Sequence, residues 1–308
     1  MTRSVTCLSA ALLLLLCSCG DDAPSTPSPD AAPMMRPCPS DGVPNAEGLM
    51  GACCYRQSNV DRQAAPEFRI SRLRLDGPGI LGTTLVFNLL RESLNEELFN
   101  WLIRMENASA DGPVTITTGF GHRNADSSFT FADGTAPAPG DADRWNPGTA
   151  TGTLTGETLT DAALEQLVSV PILKPDSTDL QLELPLQALV LTSMTMDDDR
   201  NCVGLYNGEY DTMQGRLYTF ITLEDALIAM VDSPPIVATL CNLLAGSPAG
   251  GDRCGTAPRS EWDTPPNSLC DDMGCTEDPG DESICTMDTC NAWQLSGGFA
   301  AHGVEITD

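Results

Sequence analysis

Alternating apolar and polar residues dominate the middle of the chain and predict antiparallel strands. Phe68 to Leu75 reads Phe-Arg-Ile-Ser-Arg-Leu-Arg-Leu, the pattern of a half-buried strand. Residues 99–105 and 114–120 each alternate, and Asp111-Gly112-Pro113 lies between them as a turn signal, which together predict a hairpin. Phe129 and Phe131 continue the pattern, before a stretch over 132–156 whose Gly, Pro, Asp and Thr content predicts a long loop that leads into a thin strand.

The clearest strand signal lies between residues 179 and 196. Alternate positions there are apolar, so one face of the strand is expected to carry Leu180, Leu182, Leu184, Leu186, Ala188 and Val190. Pro185 cannot donate a ladder hydrogen bond, so it predicts an edge position or a break between two strands. With a further strand from Arg216 to Ile221, the pattern favours a mainly β fold, an antiparallel β-sandwich with a few short helices.

Two regions have helical signals. Residues 85–94 place apolar side chains at helical spacing. Thr222 and Asp225 form a capping box, which predicts a helix to about Val231. Ser233-Pro234 is a second helix start and Gly246 a stop, so residues 222–249 are expected to be a helical segment.

The first nineteen residues have the pattern of an export signal that ends in a cysteine. Arg3 supplies a positive charge, and residues 10–16 form an apolar run shorter than the roughly 20 residues that span a bilayer. Leu16-Cys17-Ser18-Cys19 resembles the lipobox of bacterial lipoproteins, in which the cysteine is acylated and becomes the first mature residue. The resemblance implies lipidation at Cys19, because the preceding Ser18 is small whereas Leu16 before Cys17 is bulky. The alternative is an ordinary signal peptide with incidental cysteines.

The position after the lipobox cysteine bears on location. Lipoproteins of this class that carry Asp there tend to stay at the inner membrane, and this chain has Gly20. The resemblance therefore implies an exported protein, anchored by lipid at the outer membrane, on either its periplasmic or its cell-surface face.

Composition along the chain suggests six segments. Residues 20–37 are rich in Pro, Ser, Ala and Asp and predict a disordered spacer, whereas the region after residue 250 is rich in Cys and Pro. The expected segments are a lipoprotein signal peptide (1–18), a disordered tether (19–37), a small cysteine-containing segment (38–62), the β-sandwich domain (63–221), the helical segment (222–249) and a disulfide-rich C-terminal module with a returning terminal strand (250–308).

The chain is strongly acidic, with 43 Asp and Glu residues against 16 Lys and Arg and a formal charge of −27. A surface this negative repels nucleic acids and anionic head groups, so nucleic acid is excluded as a partner and the membrane is expected to be reached only through the lipid anchor. A glycan or a surface protein is the partner class left open.

Cysteine parity predicts disulfide bonds. Without the signal segment and the acylated Cys19, ten cysteines are left, an even number in an exported chain. Three of them are early and seven late, so complete pairing within the chain requires at least one bridge between the two groups. The ten are Cys38, Cys53, Cys54, Cys202, Cys241, Cys254, Cys270, Cys275, Cys285 and Cys290. The last four resemble a metal knuckle, but an oxidising compartment favours disulfides.

One loop carries candidate ligands for a cation. Asp141, Asp143 and Asn146 place oxygen atoms two or three residues apart beside Gly148, which suits calcium, although no bidentate Glu completes the usual loop. Trp145 lies among them and could stack on a sugar if exposed, or cap the end of the sandwich if buried. No cofactor is expected, and calcium is the only ion that the pattern suggests.

Catalytic motifs are sparse. Gly77-Pro78-Gly79-Ile80-Leu81-Gly82 fits a dinucleotide pattern, but Pro78 removes an amide from the phosphate cradle and alternating strands follow, so a tight turn is the better interpretation. His122 and His302 are the only histidines, and neither lies near a nucleophile elbow. Catalysis by a carboxylate pair needs only Asp and Glu, which are abundant.

The lipobox, the spacer, Gly51-Ala-Cys-Cys-Tyr-Arg56 and the cysteine-rich tail together resemble a broad class of exported bacterial lipoproteins without a known activity. The resemblance implies no site. The expected function is a membrane-anchored surface lipoprotein that acts as a non-catalytic binding or structural module. The alternatives are a carbohydrate-binding or adhesive module that uses calcium, and a secreted hydrolase with a carboxylate pair.

Replacing the acylated cysteine tests the anchor. Cys19→Ala removes the thiol that would carry the lipid, so the protein is expected to move from the membrane fraction to the soluble fraction. Fractionation with immunoblotting measures the shift, with Cys17→Ala as the matched control that stays on the membrane. Membrane association unchanged in the Cys19→Ala protein contradicts the prediction.

Overall fold

The computed structural model describes residues 43–44, 54–132, 145–174, 179–204, 215–233, 236–247, 251–280 and 282–308. The predicted signal peptide, the tether and Cys38 and Cys53 lie outside these ranges. The part described is mainly β and antiparallel, with few helices and a disulfide-bonded region near the C-terminus, as the sequence predicts.

Twenty strands contain about half of the described residues. They are β1 Val43–Pro44, β2 Cys54–Tyr55, β3 Glu67–Leu75, β4 Trp101–Glu106, β5 Gly112–Arg123, β6 Phe129–Phe131, β7 Gly148–Thr155, β8 Thr158–Thr160, β9 Ala162–Ala163, β10 Val168–Leu173, β11 Leu180–Thr192, β12 Met194–Thr195, β13 Cys202–Val203, β14 Gly215–Thr222, β15 Met230–Ser233, β16 Ile236–Thr239, β17 Ser268–Asp271, β18 Gly274–Glu277, β19 Ala292–Gly303 and β20 Ile306–Thr307. The predicted strands near residues 68–75, 99–105, 114–120 and 216–221 are therefore confirmed.

The helices are short. They are α1 Thr84–Asn95, α2 Leu223–Ile228, α3 Leu240–Leu244 and α4 Arg253–Thr256. α1 confirms the helix predicted over 85–94, and it packs Val86, Leu90 and Leu94 into the main core. The glycine-rich segment before α1 is a 3₁₀ turn, Gly79–Gly82, where Gly79 has a φ of +51°. A side chain at Gly79 would collide with Thr264, so this segment is a packed turn.

The pairing of the strands closes on itself. From β3 the ladder runs through β4, β5, β7 and the consecutive strands β8 and β9. It continues through β11 with β12, then β14 and β19, and β19 pairs with β3. The two layers of the predicted sandwich are thus joined by hydrogen bonds into one ring of antiparallel strands, so these strands have no open edge along the ring.

One large apolar core fills the space enclosed by these elements. Its largest buried side chains include Trp101, Trp293, Phe68 and Phe299. Trp101 donates its indole N–H to Thr118 Oγ1 at 2.7 Å, so the burial of this polar group is compensated. Leu102 points to the opposite face of β4, where it packs in a second, small cluster.

The seam between β3 and β19 needs two glycines. β19 pairs with β14 on one side and β3 on the other, from Gly297 opposite Leu75 to Gly303 opposite Phe68. A Cβ at Gly297 would lie 2.6 Å from the Arg74 carbonyl oxygen, and one at Gly303 would lie 2.5 Å from the Gln57 carbonyl oxygen. Because glycine has no Cβ atom, only glycine at these two positions allows the carbonyl oxygens to lie so close.

Buried polar groups hold one end of the seam. Glu67, at the start of β3, is buried and accepts hydrogen bonds from Arg62 at 2.5 Å, from Arg104 at 2.9 Å and from the amide of Ile306 at 2.8 Å. Its charge is therefore paired on two sides and hydrogen-bonded on a third, which is the condition for burying a carboxylate without a large penalty.

β11 belongs to two parts of the structure. Its first half, to Leu186, pairs with β10, and its second half pairs with β14 and β9. The change occurs at a bulge where Ala188 has a φ of +48°. The buried positions shift from 182, 184 and 186 to 189 and 191, so the expectation that Ala188 and Val190 share a face with Leu186 is wrong.

The region predicted as helical over 222–249 is a mixture. The Thr222 capping box is confirmed, because its hydroxyl accepts the Asp225 amide at 3.1 Å. The helix ends at Ile228, however, and β15 and β16 form a hairpin where a second helix was predicted from Ser233. That helix begins only at Leu240, behind an N-cap at Thr239.

Three disulfides pair the late cysteines locally: Cys241 with Cys254, Cys270 with Cys275 and Cys285 with Cys290. The interpretation of the last four as a metal knuckle is thus excluded in this structure. Cys202 is also disulfide-bonded. Among the described residues, no helix is long and apolar enough to cross a membrane.

Peptide mapping tests the remaining bridge. Because the other six late cysteines pair among themselves, Cys202 is expected to pair with a cysteine before Tyr55. Mass spectrometry of a non-reduced digest should recover a peptide that joins Cys202 to Cys38, Cys53 or Cys54. Recovery of Cys202 as a free thiol, or joined to another late cysteine, contradicts the prediction.

Candidate functional site

A groove of about 1440 Å³ opens where β11 changes partners. We call it the acidic groove. Glu165, Gln187 and Ala188 lie on one side of it, Glu224, Asp225 and Leu227 of α2 on another, and Asp271, Asp272 and Met273 of the β17–β18 turn on a third. Elements distant in sequence therefore meet at one surface, which the two-part pairing of β11 creates.

The β17–β18 hairpin forms a fixed wall of the acidic groove. Cys270 and Cys275 are directly opposite in the ladder and joined by a disulfide, with their Cα atoms 4.0 Å apart. Asn291 accepts the Cys270 amide at 2.7 Å and donates to its carbonyl at 2.8 Å. At the tip, Asp271 accepts the Met273 amide at 2.8 Å, and Met273 is left 93% exposed. The tip is thus held in place while its methionine faces solvent.

The α2 wall is anchored by its own cap. The Asp225 carboxylate accepts the Thr222 hydroxyl at 2.7 Å and the Gln187 amide at 3.3 Å. The amide of Leu223 donates to the Asn291 carbonyl at 2.7 Å, which connects this wall to the strand that follows the hairpin. Both walls are therefore joined through Asn291.

The floor contains the strained residue of β11. Ala188 has a left-handed backbone conformation, which costs a non-glycine residue about 1–2 kcal/mol. Thr219 supports the bulge by donating its hydroxyl to the Gln187 carbonyl at 2.8 Å. The bulge turns the strand and opens the space above it, a role that β-bulges often have beside functional sites.

The electrostatic character of the acidic groove is uniform. Four of its carboxylates, on Glu165, Glu224, Asp271 and Asp272, are exposed to solvent. None of the described lining residues is Lys, Arg or His. Since the whole chain carries a formal charge of −27, the groove attracts positively charged groups and repels anions.

The structure describes only part of the candidate calcium loop. Asp141 and Asp143 lie outside the described residues, and Asn146 is partly exposed. Trp145 is only 3% exposed and meets Phe120 edge-on at 6.4 Å, so it does not present the open ring that sugar stacking requires. Within the described ranges, no group of three or more His, Cys, Asp or Glu residues is arranged to hold a metal ion.

The two histidines lie away from the acidic groove. His122 is exposed on β5 and meets Phe120 edge-on at 4.9 Å. His302, on β19, has its Nε2 buried with no hydrogen-bond partner among the residues described. Burial lowers the pKa of His302 well below its ordinary value, and the nearby charges of Arg69, Arg56 and Arg72 lower it further.

One acidic residue of the C-terminal module has a structural role. Asp278 is buried and accepts the backbone amides of Gly280, Glu282, Ile284 and Cys285 at 2.7–3.1 Å. These hydrogen bonds, above all those from Ile284 and Cys285, lower the pKa of its carboxyl. Asp278 therefore organises the loop that leads to the Cys285–Cys290 disulfide.

No motif in the sequence groups the residues of this groove. Glu165, Glu224, Leu227 and Met273 belong to no motif, and Asp225 was identified only as part of a helix cap. One signal was present: Leu189 and Leu191 interrupt the alternation of β11 and indicate the bulge. No family model, curated protein or solved structure matches the chain.

The buried imidazole nitrogen of His302 leads us to expect that the stability of the fold depends on pH. The folded-state pKa of His302 lies below its unfolded value of about 6.5, so below that pH the unfolded chain binds a proton that the folded chain does not. The free energy of unfolding should therefore be unaffected by His302 above about pH 6.5. Below that pH it should decrease, by at most about 1.4 kcal/mol for each pH unit from this residue.

Urea unfolding at pH 7.5 and at pH 5.5 measures this loss. His302→Gln should reduce the difference between the two pH values, whereas the exposed control His122→Gln should retain it. An equal pH dependence in the wild type and the His302→Gln variant would show that His302 does not carry the effect.

Proposed function

We propose that this protein is an exported lipoprotein, anchored through Cys19 at the outer membrane, and that its β domain is a non-catalytic binding module that uses the acidic groove. The lipobox resemblance and the disulfides support the exported location. The acidic groove supports binding, because it is a concave surface with an exposed methionine on a wall held by a disulfide and by Asn291.

The observation that carries the binding function is the exposure of Met273. Leu227, which is 48% exposed, lines the same groove as Met273, which is 93% exposed, so two large apolar side chains are exposed at one concave surface. Methionine is an adaptable contact residue at binding surfaces because its side chain is flexible and polarizable. A rigid hairpin that presents such a side chain suits contact with a partner.

A second candidate function comes from the carboxylates of the same groove. Carboxyl groups on Glu165, Glu224, Asp225, Asp271 and Asp272 surround one cleft. Hydrolases that act on glycosides use a pair of such groups, one as acid and one as base or nucleophile. This arrangement favours the secreted hydrolase over the other alternative, a carbohydrate-binding module built on Trp145 and calcium, because Trp145 is buried.

Site-specific photo-crosslinking in intact cells tests the binding function. With benzoylphenylalanine in place of Met273, irradiation is expected to give a discrete adduct. The same amino acid in place of Leu85, which is 55% exposed on α1 and outside the groove, should give at least about tenfold less. The absence of any adduct at position 273, or equal adducts at both positions, contradicts the proposal. Turnover of chromogenic glycosides that is lost in Glu224→Gln would instead establish the hydrolase.

A further inference from the structure

We propose that the acidic groove binds a cationic, amphipathic peptide segment of a partner protein, with Lys or Arg side chains interleaved with aliphatic ones. This inference rests on the proposed binding function and specifies its ligand. Three properties of the groove lead to it: the sign of its charge, the place of its apolar side chains and its size.

Charge complementarity selects a cation. Glu165, Glu224, Asp271 and Asp272 are exposed and leave their carboxylates available to a ligand, and no basic residue among the described lining neutralises them. Opposite charges close together at a protein surface attract each other, and salt screens this attraction. The same carboxylates repel anionic lipid surfaces and nucleic acids.

The apolar side chains require more than a simple cation. Met273 is 93% exposed and Leu227 is 48% exposed, and they belong to the two walls of the groove. Ile228, 60% exposed, follows Leu227 on α2. A ligand that carries aliphatic groups between its charges would cover these side chains and remove their apolar surface from water, which favours binding. An inorganic cation or a polyamine without such groups would leave them exposed.

The dimensions favour a peptide. A volume of about 1440 Å³ exceeds the roughly 300–1,000 Å³ of pockets that enclose small molecules. The groove also has walls that need little ordering on binding, because the Cys270–Cys275 disulfide and the hydrogen bonds of Asn291 already fix the hairpin. An extended segment can lie along such a surface with charged and apolar side chains in alternation.

Fluorescence anisotropy with defined peptides tests the proposal on the purified full-length protein. The probe is a labelled peptide of alternating lysine and leucine, about ten residues long. One control peptide has glutamate in place of lysine, and the other has serine in place of leucine. The lysine–leucine peptide should bind at least about tenfold more tightly than either control, and raising the salt concentration should weaken its binding.

Two matched triple variants and one single variant test whether the peptide binds in the groove. Glu224→Gln/Asp271→Asn/Asp272→Asn neutralises three groove carboxylates, and the asparagine at position 271 can still accept the Met273 amide. It should weaken binding about tenfold, as the sum of three modest charge interactions. Asp61→Asn/Glu92→Gln/Glu96→Gln changes the net charge equally at exposed positions outside the groove, and should stay within about twofold of the wild type. Met273→Ser should also weaken binding about tenfold, with the fold unaffected.

Several outcomes would overturn the inference. Equal weakening by the two triple variants would indicate general attraction to an acidic protein. Equal affinity for the lysine–leucine and lysine–serine peptides, or full displacement by calcium alone, would indicate a site for simple cations. If none of the peptides binds although position 273 gives its adduct in cells, the peptide inference fails while the proposed binding function stands. Peptide binding without an adduct in cells would contradict the proposed function instead.

Discussion

β3 and β19 pair along a hydrogen-bonded seam that keeps the ring of strands closed. It joins the two ends of the ring, and without it both strands would become open edges beside an exposed apolar core. Its geometry permits little change, because the Cβ atoms of larger residues at Gly297 and Gly303 would meet backbone oxygen atoms. The buried Glu67 carboxylate then holds the segment after β19 against the start of β3.

The acidic groove exists because β11 pairs with two different sets of neighbouring strands. A regular strand would continue beside β10 and leave no opening, whereas the bulge at Ala188 turns it toward β14 and β9. The strain of one left-handed alanine is offset by the ladders that form on both sides of it. α2 and the β17–β18 hairpin then cover parts of the gap without filling it, and the disulfide and Asn291 fix how far the hairpin extends.

Local patterns predicted much of this fold. Alternation identified β3 and β14, the Thr222 capping box identified the start of α2, and the even cysteine count predicted disulfides. The predictions that failed depended on tertiary context. Ser233-Pro234 resembles a helix start, but β15 pairs with β11 at Val231 opposite Leu182, and that contact favours a hairpin. For Trp145 the sequence allowed either an exposed or a buried ring, and the structure shows it buried against Phe120.

The groove could not be predicted from the sequence, for a similar physical reason. Its carboxylates come from three distant segments, and only the ring closure and the bulge bring Glu165, Glu224 and Asp271 to one surface. No spacing in the chain encodes that arrangement. The exposure of Met273 could not be predicted either, because it is a property of the folded hairpin and not of the residues Asp-Asp-Met-Gly themselves.

The position of β19 limits how early in folding the core can be enclosed. This strand follows β3 and β14 in the chain, and it lies between them in the sheet. The preceding strands can form hairpins but cannot enclose the core until β19 inserts, and pairing over such a sequence distance is slow. For a polypeptide exported as we propose, this delay is useful, since the strands before β19 cannot enclose the core until β19 has also crossed the membrane.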